Sequence, residues 1–137
     1  MKLAFLLIPA SLAMLAGCSF AARSPDMYRD DTKAALQAKN ADILACYDGV
    51  LKATPGAHGK VTINFDVETE HGTVTNVKVD AANTTAPAPV SECVTKAVTG
   101  VAINPPDQRL GQGTWVYEFN APAAPTVAPA LLPTGKS

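Results

Sequence analysis

Three cysteines, two histidines and a few clustered carboxylates are the residues with chemistry to offer in this 137-residue chain. Cys18, Cys46 and Cys93 are far apart in sequence, and none belongs to a Cys-x-x-Cys pair of the redox or zinc kind. His58 and His71 both fall in expected turns. His71 lies near Asp66, Glu68 and Glu70, which raises a surface metal site, but the spacing matches no standard ligand set and reads as a solvated hairpin tip. Ser91-Glu92 reads as the polar face of a short helix rather than a nucleophile beside a base, and Asp30-Asp31 as a pair that solvates or caps a first helix. The runs GAHG at 56–59 and GQG at 111–113 are too short for phosphate loops and lack the lysine or helix that would follow. Catalytic, cofactor and metal residues are therefore none, no small-molecule substrate is assigned, and the chain is expected not to be an enzyme.

An odd number of cysteines calls for a separate role for one of them, because disulfides use thiols in pairs. Lys2 precedes an apolar run from Leu3 to Ala16 that is broken by one serine and one proline. Fourteen helical residues rise about 21 Å, short of the roughly 30 Å hydrocarbon core of a bilayer. A basic start, a compact apolar run and small residues at its end mark residues 1–17 as a secretory signal. Leu15-Ala16-Gly17-Cys18 resembles the lipobox of bacterial lipoproteins. That resemblance implies lipidation of the Cys18 sulfur, cleavage before it, and a new amino group open to acylation, which together give stable anchoring where one acyl chain would be marginal. Ser19, in place of an aspartate, points to the outer membrane with the domain facing the periplasm. Cys46 and Cys93 then remain as an even pair in an oxidising compartment, where a structural disulfide is the leading reading and two buried free thiols or a redox pair are its rivals.

The formal net charge is −1, with eleven basic and twelve acidic side chains, and no basic stripe interleaved with aromatics. Nucleic acid is thus not expected as a partner. Residues 18–31 read as a lipidated tether, of which 19–31 form a short link or the ragged start of a helix spanning at most about 45 Å. A helical pattern follows over 32–53, with Leu36, Ile43, Tyr47, Val50 and Leu51 on one face, Cys46 at its border and Pro55-Gly56 as the stop. Residues 60–68 alternate as a strand with Val61, Ile63, Phe65 and Val67 on one face. Residues 73–81 form its hairpin partner, in which Val74 is out of phase and suggests a bulge near the turn. Val90, Cys93, Val94, Ala97, Val98 and Val101 recur at helical spacing, residues 102–113 read as loop, and 114–120 as a third strand. The Ala- and Pro-rich residues 121–137 are expected to be disordered or extended.

Helix, strand, strand, helix, strand is the pattern of an α+β two-layer sandwich, with two helices on a three-stranded antiparallel sheet of order 2-1-3 over residues 32–120. Several residues sharpen this expectation: Cys46-Tyr47, Leu51, Pro55, Gly59-Lys60-Val61, Gly72 with Val74, Cys93-Val94, and the proline-then-glycine approach to a final aromatic strand. Over about residues 40–120 the chain resembles the AgmX/PglI C-terminal domain family, a TonB C-terminal-like group. Ile103-Asn104 stands where relatives often carry phenylalanine before the loop proline.

The resemblance implies a third strand at a sheet edge, open to an extended peptide that adds a strand. Alternation places Thr114, Val116 and Glu118 outward as the partner-binding edge and Trp115, Tyr117 and Phe119 inward. The competing reading is a final core strand covered by the Ala/Pro tail. Two functions follow: a membrane-anchored, non-catalytic protein- or peptide-interaction module, or a structural subunit of a larger envelope assembly without a discrete ligand.

Overall fold

The computed structural model describes residues 23–122. The expected leader at 1–17, the expected lipidation site Cys18 and the tail from 123 onward lie outside the described residues. Among the described residues no helix is long and apolar enough to cross a membrane.

The chain opens with two helices where the apolar pattern suggested one over 32–53. Helix α1 spans Pro25–Gln37 and α2 spans Asn40–Ala53, with a turn at Ala38-Lys39. Ser24 caps α1, its Oγ accepting the Met27 amide at 3.2 Å, and Pro25 occupies the first turn, where its missing N–H costs nothing. This start lies inside the stretch read as tether or ragged helix. The caps differ from expectation, because Asp31 sits within α1 and pairs with Arg23 at 2.5 Å. The reason for the break is length. One straight helix over residues 25–53 would run about 43 Å, whereas the nine-residue strands beneath span roughly 30 Å. Turning at Ala38-Lys39 lets Leu36 and Ile43 both enter the core, at 0% and 2% exposure.

Strands β1 (Gly59–Val67), β2 (Val74–Val79) and β3 (Gly111–Phe119) form one antiparallel sheet in the order β2-β1-β3. Helix α3 (Ala88–Val98) carries the chain from β2 across to β3. Central β1 buries Val61, Ile63, Phe65 and Val67 toward the helices, as its alternation demands. The register of β2 against β1 shifts opposite Asn64–Asp66, where Asn76 takes a φ of 51°. This bulge returns Val74 to the buried face opposite Val67, which explains its phase in the sequence. Strand β2 is shorter than the expected 73–81 because the chain after Val79 turns to cover Thr62, whose Oγ1 donates to the Asn83 carbonyl at 2.9 Å.

Two sequence readings need correction here. Strand β3 begins at Gly111, not at residue 114, because two residues that look like loop glycines fit a crowded strand. A Cβ on Gly111 would collide with the Tyr28 ring and hydroxyl, and one on Gly113 would lie 2.6 Å from Cζ of Phe65. Ser91 does not lie on a polar helix face; it is buried in α3 beside Val90 and Val94, while Glu92 is exposed. The loop before β3 also contributes to the core through Val101 and Ile103, the latter 1% exposed.

Cys46 of α2 and Cys93 of α3 are joined in a disulfide with Cα atoms 5.7 Å apart, closing a sequence separation of 47. The bond pins together the two helices that cover the sheet, from the exposed side of α2 to the buried side of α3.

Candidate functional site

The backbone pattern of β1 decides which groups of β3 are left over. The Thr62 amide donates to Thr84 Oγ1 and its carbonyl accepts from Asp80, both on the β2 side, and the Lys60 carbonyl accepts from Thr85 and Ala86. Even-numbered residues of β1 thus point their N–H and C=O toward β2, and odd-numbered ones toward β3. Val61, Ile63, Phe65 and Val67 pair in register with Tyr117, Trp115, Gly113 and Gly111. The amides and carbonyls of Gln112, Thr114, Val116 and Glu118 therefore point away from the sheet. Among the described residues no strand lies beyond β3.

The two outer edges of this sheet differ. On β2 the bulge at Asn76 breaks the line, and the Val74 amide and carbonyl bond Val101 and Gly100. Thr73 and Ala102 add a bridge on the same side. Strand β3 pairs with β1 in unbroken register over all nine residues and has none of these devices. A long, regular, uncovered edge is a template for another strand.

Each face beside the β3 edge has its own chemistry. On the outer face Asp66 accepts from Asn76 Nδ2 at 2.8 Å and Gln112 Nε2 at 3.2 Å, and Thr114 Oγ1 donates to Asn64 Oδ1 at 2.7 Å. Those amide donors hold the Asp66 carboxyl below its ordinary range. Val116, 48% exposed, is the apolar member of that face. On the helix face a groove of about 460 Å³ runs between α1 and β3, lined by Tyr28, Thr32, Phe65, Leu110, Gly113 and Trp115. Trp115 and Tyr117 are half-buried with ring centroids 6.5 Å apart, while Phe119 is buried 4.8 Å from the Tyr47 ring. Burial pushes the Tyr117 hydroxyl up to about 12, and among the described residues that hydroxyl has no hydrogen-bond partner.

A polar clasp holds α1 against the start of β3. Arg109 donates through Nη2 to the Arg23 carbonyl at 2.6 Å and through Nε to Asp107 at 3.1 Å. Hydrogen bonds from Arg109 bring the buried Asp107 carboxyl down to about 2. The Arg23 guanidinium lies 5.7 Å from the centre of the Tyr28 ring. Desolvation raises the Tyr28 hydroxyl, and the Asp107 charge adds to the shift.

The structure thus places Thr114, Val116 and Glu118 on the exposed face of β3 and brings Cys46 to Cys93, while Cys18 lies outside the described residues. Sequence reading missed Gln112 as a fourth edge residue because its flanking glycines resembled loop, and it missed the Tyr28, Asp107 and Arg109 clasp. The alternation Gly111, Gly113, Trp115, Tyr117, Phe119 was the available signal for a longer strand. At the hairpin tip Glu68, Glu70 and His71 come within 4.8 Å of one another, but the Glu68 carboxylate already accepts the amides of Glu70, His71 and Thr73. Those donors, Thr73 foremost, lower Glu68 to about 2 and make it the brace of the turn. His58 is likewise local, with Nδ1 2.7 Å from the Gly56 carbonyl.

The fold is α+β and TonB C-terminal-like. Among solved structures the chain is similar to the NMR solution structure of the Helicobacter pylori TonB C-terminal domain, with a TM-score of 0.55 and 15% identity, covering 74% of this chain and 87% of that one. No protein-family model and no curated protein matches the chain.

Proposed function

We propose that this protein is a lipid-anchored envelope lipoprotein whose TonB C-terminal-like domain captures a protein or peptide partner by strand addition, without catalysis. The observation that carries this reading is the β3 edge, beyond which no strand lies among the described residues, with the outward amides and carbonyls of Gln112, Thr114, Val116 and Glu118. Main-chain pairing would supply affinity, and alternate side chains of the incoming strand would supply specificity. The AgmX/PglI grouping belongs to the same reading. It is supported by Cys46 and Cys93, now joined, and by Gly59 and Gly72, whose φ values of 131° and 69° suit glycine.

Val116→Pro tests the edge. The Val116 N–H points away from β1, so proline removes no bond of the described sheet, whereas Tyr117→Pro deletes a ladder bond to β1. Val116→Pro should abolish partner capture with the fold retained, and Tyr117→Pro should destabilise the domain. Unchanged capture by Val116→Pro, or its unfolding, would count against strand addition.

The anchor rests on Leu15-Ala16-Gly17-Cys18, and the disulfide fits an oxidising compartment such as the periplasmic side of an outer membrane. Intact mass of membrane-extracted protein should show a chain beginning at Cys18 with added acyl mass. A soluble, unmodified chain would refute the anchor. A second reading, a structural subunit of a larger envelope assembly, is favoured by one observation. An open, largely apolar groove of about 910 Å³ lies between the end of β2 and α3, lined by Val79, Ala81, Ala86 and Thr95 among others. Crosslinking in intact envelopes separates the readings: one peptide-bearing partner supports capture, and a fixed-stoichiometry complex seated on this groove supports the subunit.

A further inference from the structure

We propose that the Cys46–Cys93 bond is a thiol-exchange site for a dithiol reductant, and that Cys46 is the sulfur such a reductant attacks. The bond's reactivity follows from how the two helices present it and owes nothing to the β3 edge. Cys46 is exposed on α2, whereas Cys93 is 4% exposed on the buried side of α3. The bond therefore runs from the core outward, with Cys46 at its outer end. It lies in a pocket of about 450 Å³ that both cysteines line, together with Lys39, Asp42, Lys96 and Thr99. Access to each sulfur decides where exchange begins. An incoming thiolate approaches along the S–S line, from the side opposite the leaving sulfur. That approach is open at Cys46 and enclosed at Cys93.

The step balances as follows. The attacking thiolate forms a new bond to Cys46 Sγ, the bond to Cys93 breaks, and its electron pair leaves on Cys93 Sγ. The reductant's second thiolate then attacks its own sulfur in the mixed disulfide and releases Cys46 as a thiolate. Two electrons pass from the dithiol, which ends as a disulfide, and its two protons end on Cys46 and Cys93. Enclosure of Cys93 keeps its thiolate beside the mixed disulfide, so the first step reverses unless a second thiol intervenes. A dithiol is for that reason the fitting class of reductant. Charge at the pocket mouth favours the attack, because Lys39 and Lys96 against Asp42 leave one net positive charge. Lys39 holds Asp42 at 3.4 Å, and among the described residues Lys96 forms no ion pair. Lys96 follows Cys93 by three residues on α3, a spacing that makes the two neighbours on the helix surface. Its ammonium draws the incoming thiolate and stabilises the leaving one, and a more stable thiolate leaves faster.

Reduced glutathione, a monothiol probe, reads the choice of sulfur on the folded full chain. Acid quench, alkylation of the freed thiols in denaturant and peptide mapping report which cysteine carries the adduct, with Cys18 counted apart. The adduct should sit on Cys46, with Cys93 alkylated, in about tenfold or greater excess over the reverse. That preference should vanish when the same reaction is run in denaturing urea. Lys96→Gln should slow adduct formation about two- to threefold, and Lys96→Arg should restore it. Lys52→Gln, in the last turn of α2 and outside the pocket, should leave the rate unchanged. Equal amounts on the two sulfurs, an adduct chiefly on Cys93, or a rate indifferent to Lys96→Gln would overturn the proposal. So would a reaction that is silent in native buffer and appears only as urea unfolds the chain.

Discussion

Cutting the Cys46–Cys93 bond should remove a large share of this domain's stability, and the size of the loss follows from the loop it closes. A cross-link over a separation of 47 residues withholds about 4 kcal/mol of loop-closure entropy from the unfolded chain. Domains of this size hold roughly 5–15 kcal/mol in total. At about 4–8 °C per kcal/mol, the melting temperature should fall by roughly 15–30 °C. Because either cysteine alone breaks the bond, Cys46→Ala, Cys93→Ala and the double variant should lose nearly the same amount. Cys93 is 4% exposed, so its truncation leaves a small void and adds about 1 kcal/mol. Cys46 is exposed and should add almost nothing. Urea denaturation with and without reductant reads both quantities, and the m-value should rise as the unfolded chain expands. A loss below about 1 kcal/mol for Cys46→Ala would refute the reasoning. So would single losses that sum to the double.

Acid should weaken the fold through two depressed carboxyls. Glu68 and Asp107 both titrate near about 2 in the folded chain, against ordinary values of 4.5 and 3.8. Protons then bind the unfolded chain first, so their contribution is complete above about pH 4.5 and is lost as the pH falls toward about 2. Thermal melts across that window should show the decline, and Glu68→Gln or Asp107→Asn should flatten it while lowering stability at neutral pH. In the core, Ile63→Ala removes a side chain that is 0% exposed in the central strand and should cost about 2–5 kcal/mol by urea titration. A cost below 1 kcal/mol would mean that the helices do not pack on β1 as described.

Local periodicity carried a good part of this molecule. The strict alternation of Val61, Ile63, Phe65 and Val67 determined a one-sided strand, because successive side chains of extended backbone must face opposite ways. The spacing of Val90, Val94 and Val98 determined the buried stripe of α3 by the same kind of geometry, and the resemblance of Leu15-Ala16-Gly17-Cys18 to a lipobox left Cys46 and Cys93 as an even pair. Non-local contacts decided the rest. Whether Gly111 and Gly113 are loop or strand depends on the Tyr28 and Phe65 rings above them, which no nearby residue encodes. The break at Ala38-Lys39 answers the length of the sheet below rather than a local helix stop. Ser91 and Asp107 are polar in type, and only the surrounding fold makes one a core residue and the other the anchor of Arg109. The candidate site is the clearest case: alternation assigned the faces of Thr114, Val116 and Glu118, but the outward direction of their amides and carbonyls follows from strand order. That order is a property of pairing across the chain, and it left β3 regular, with no strand beyond it among the described residues, while β2 was bulged and bridged.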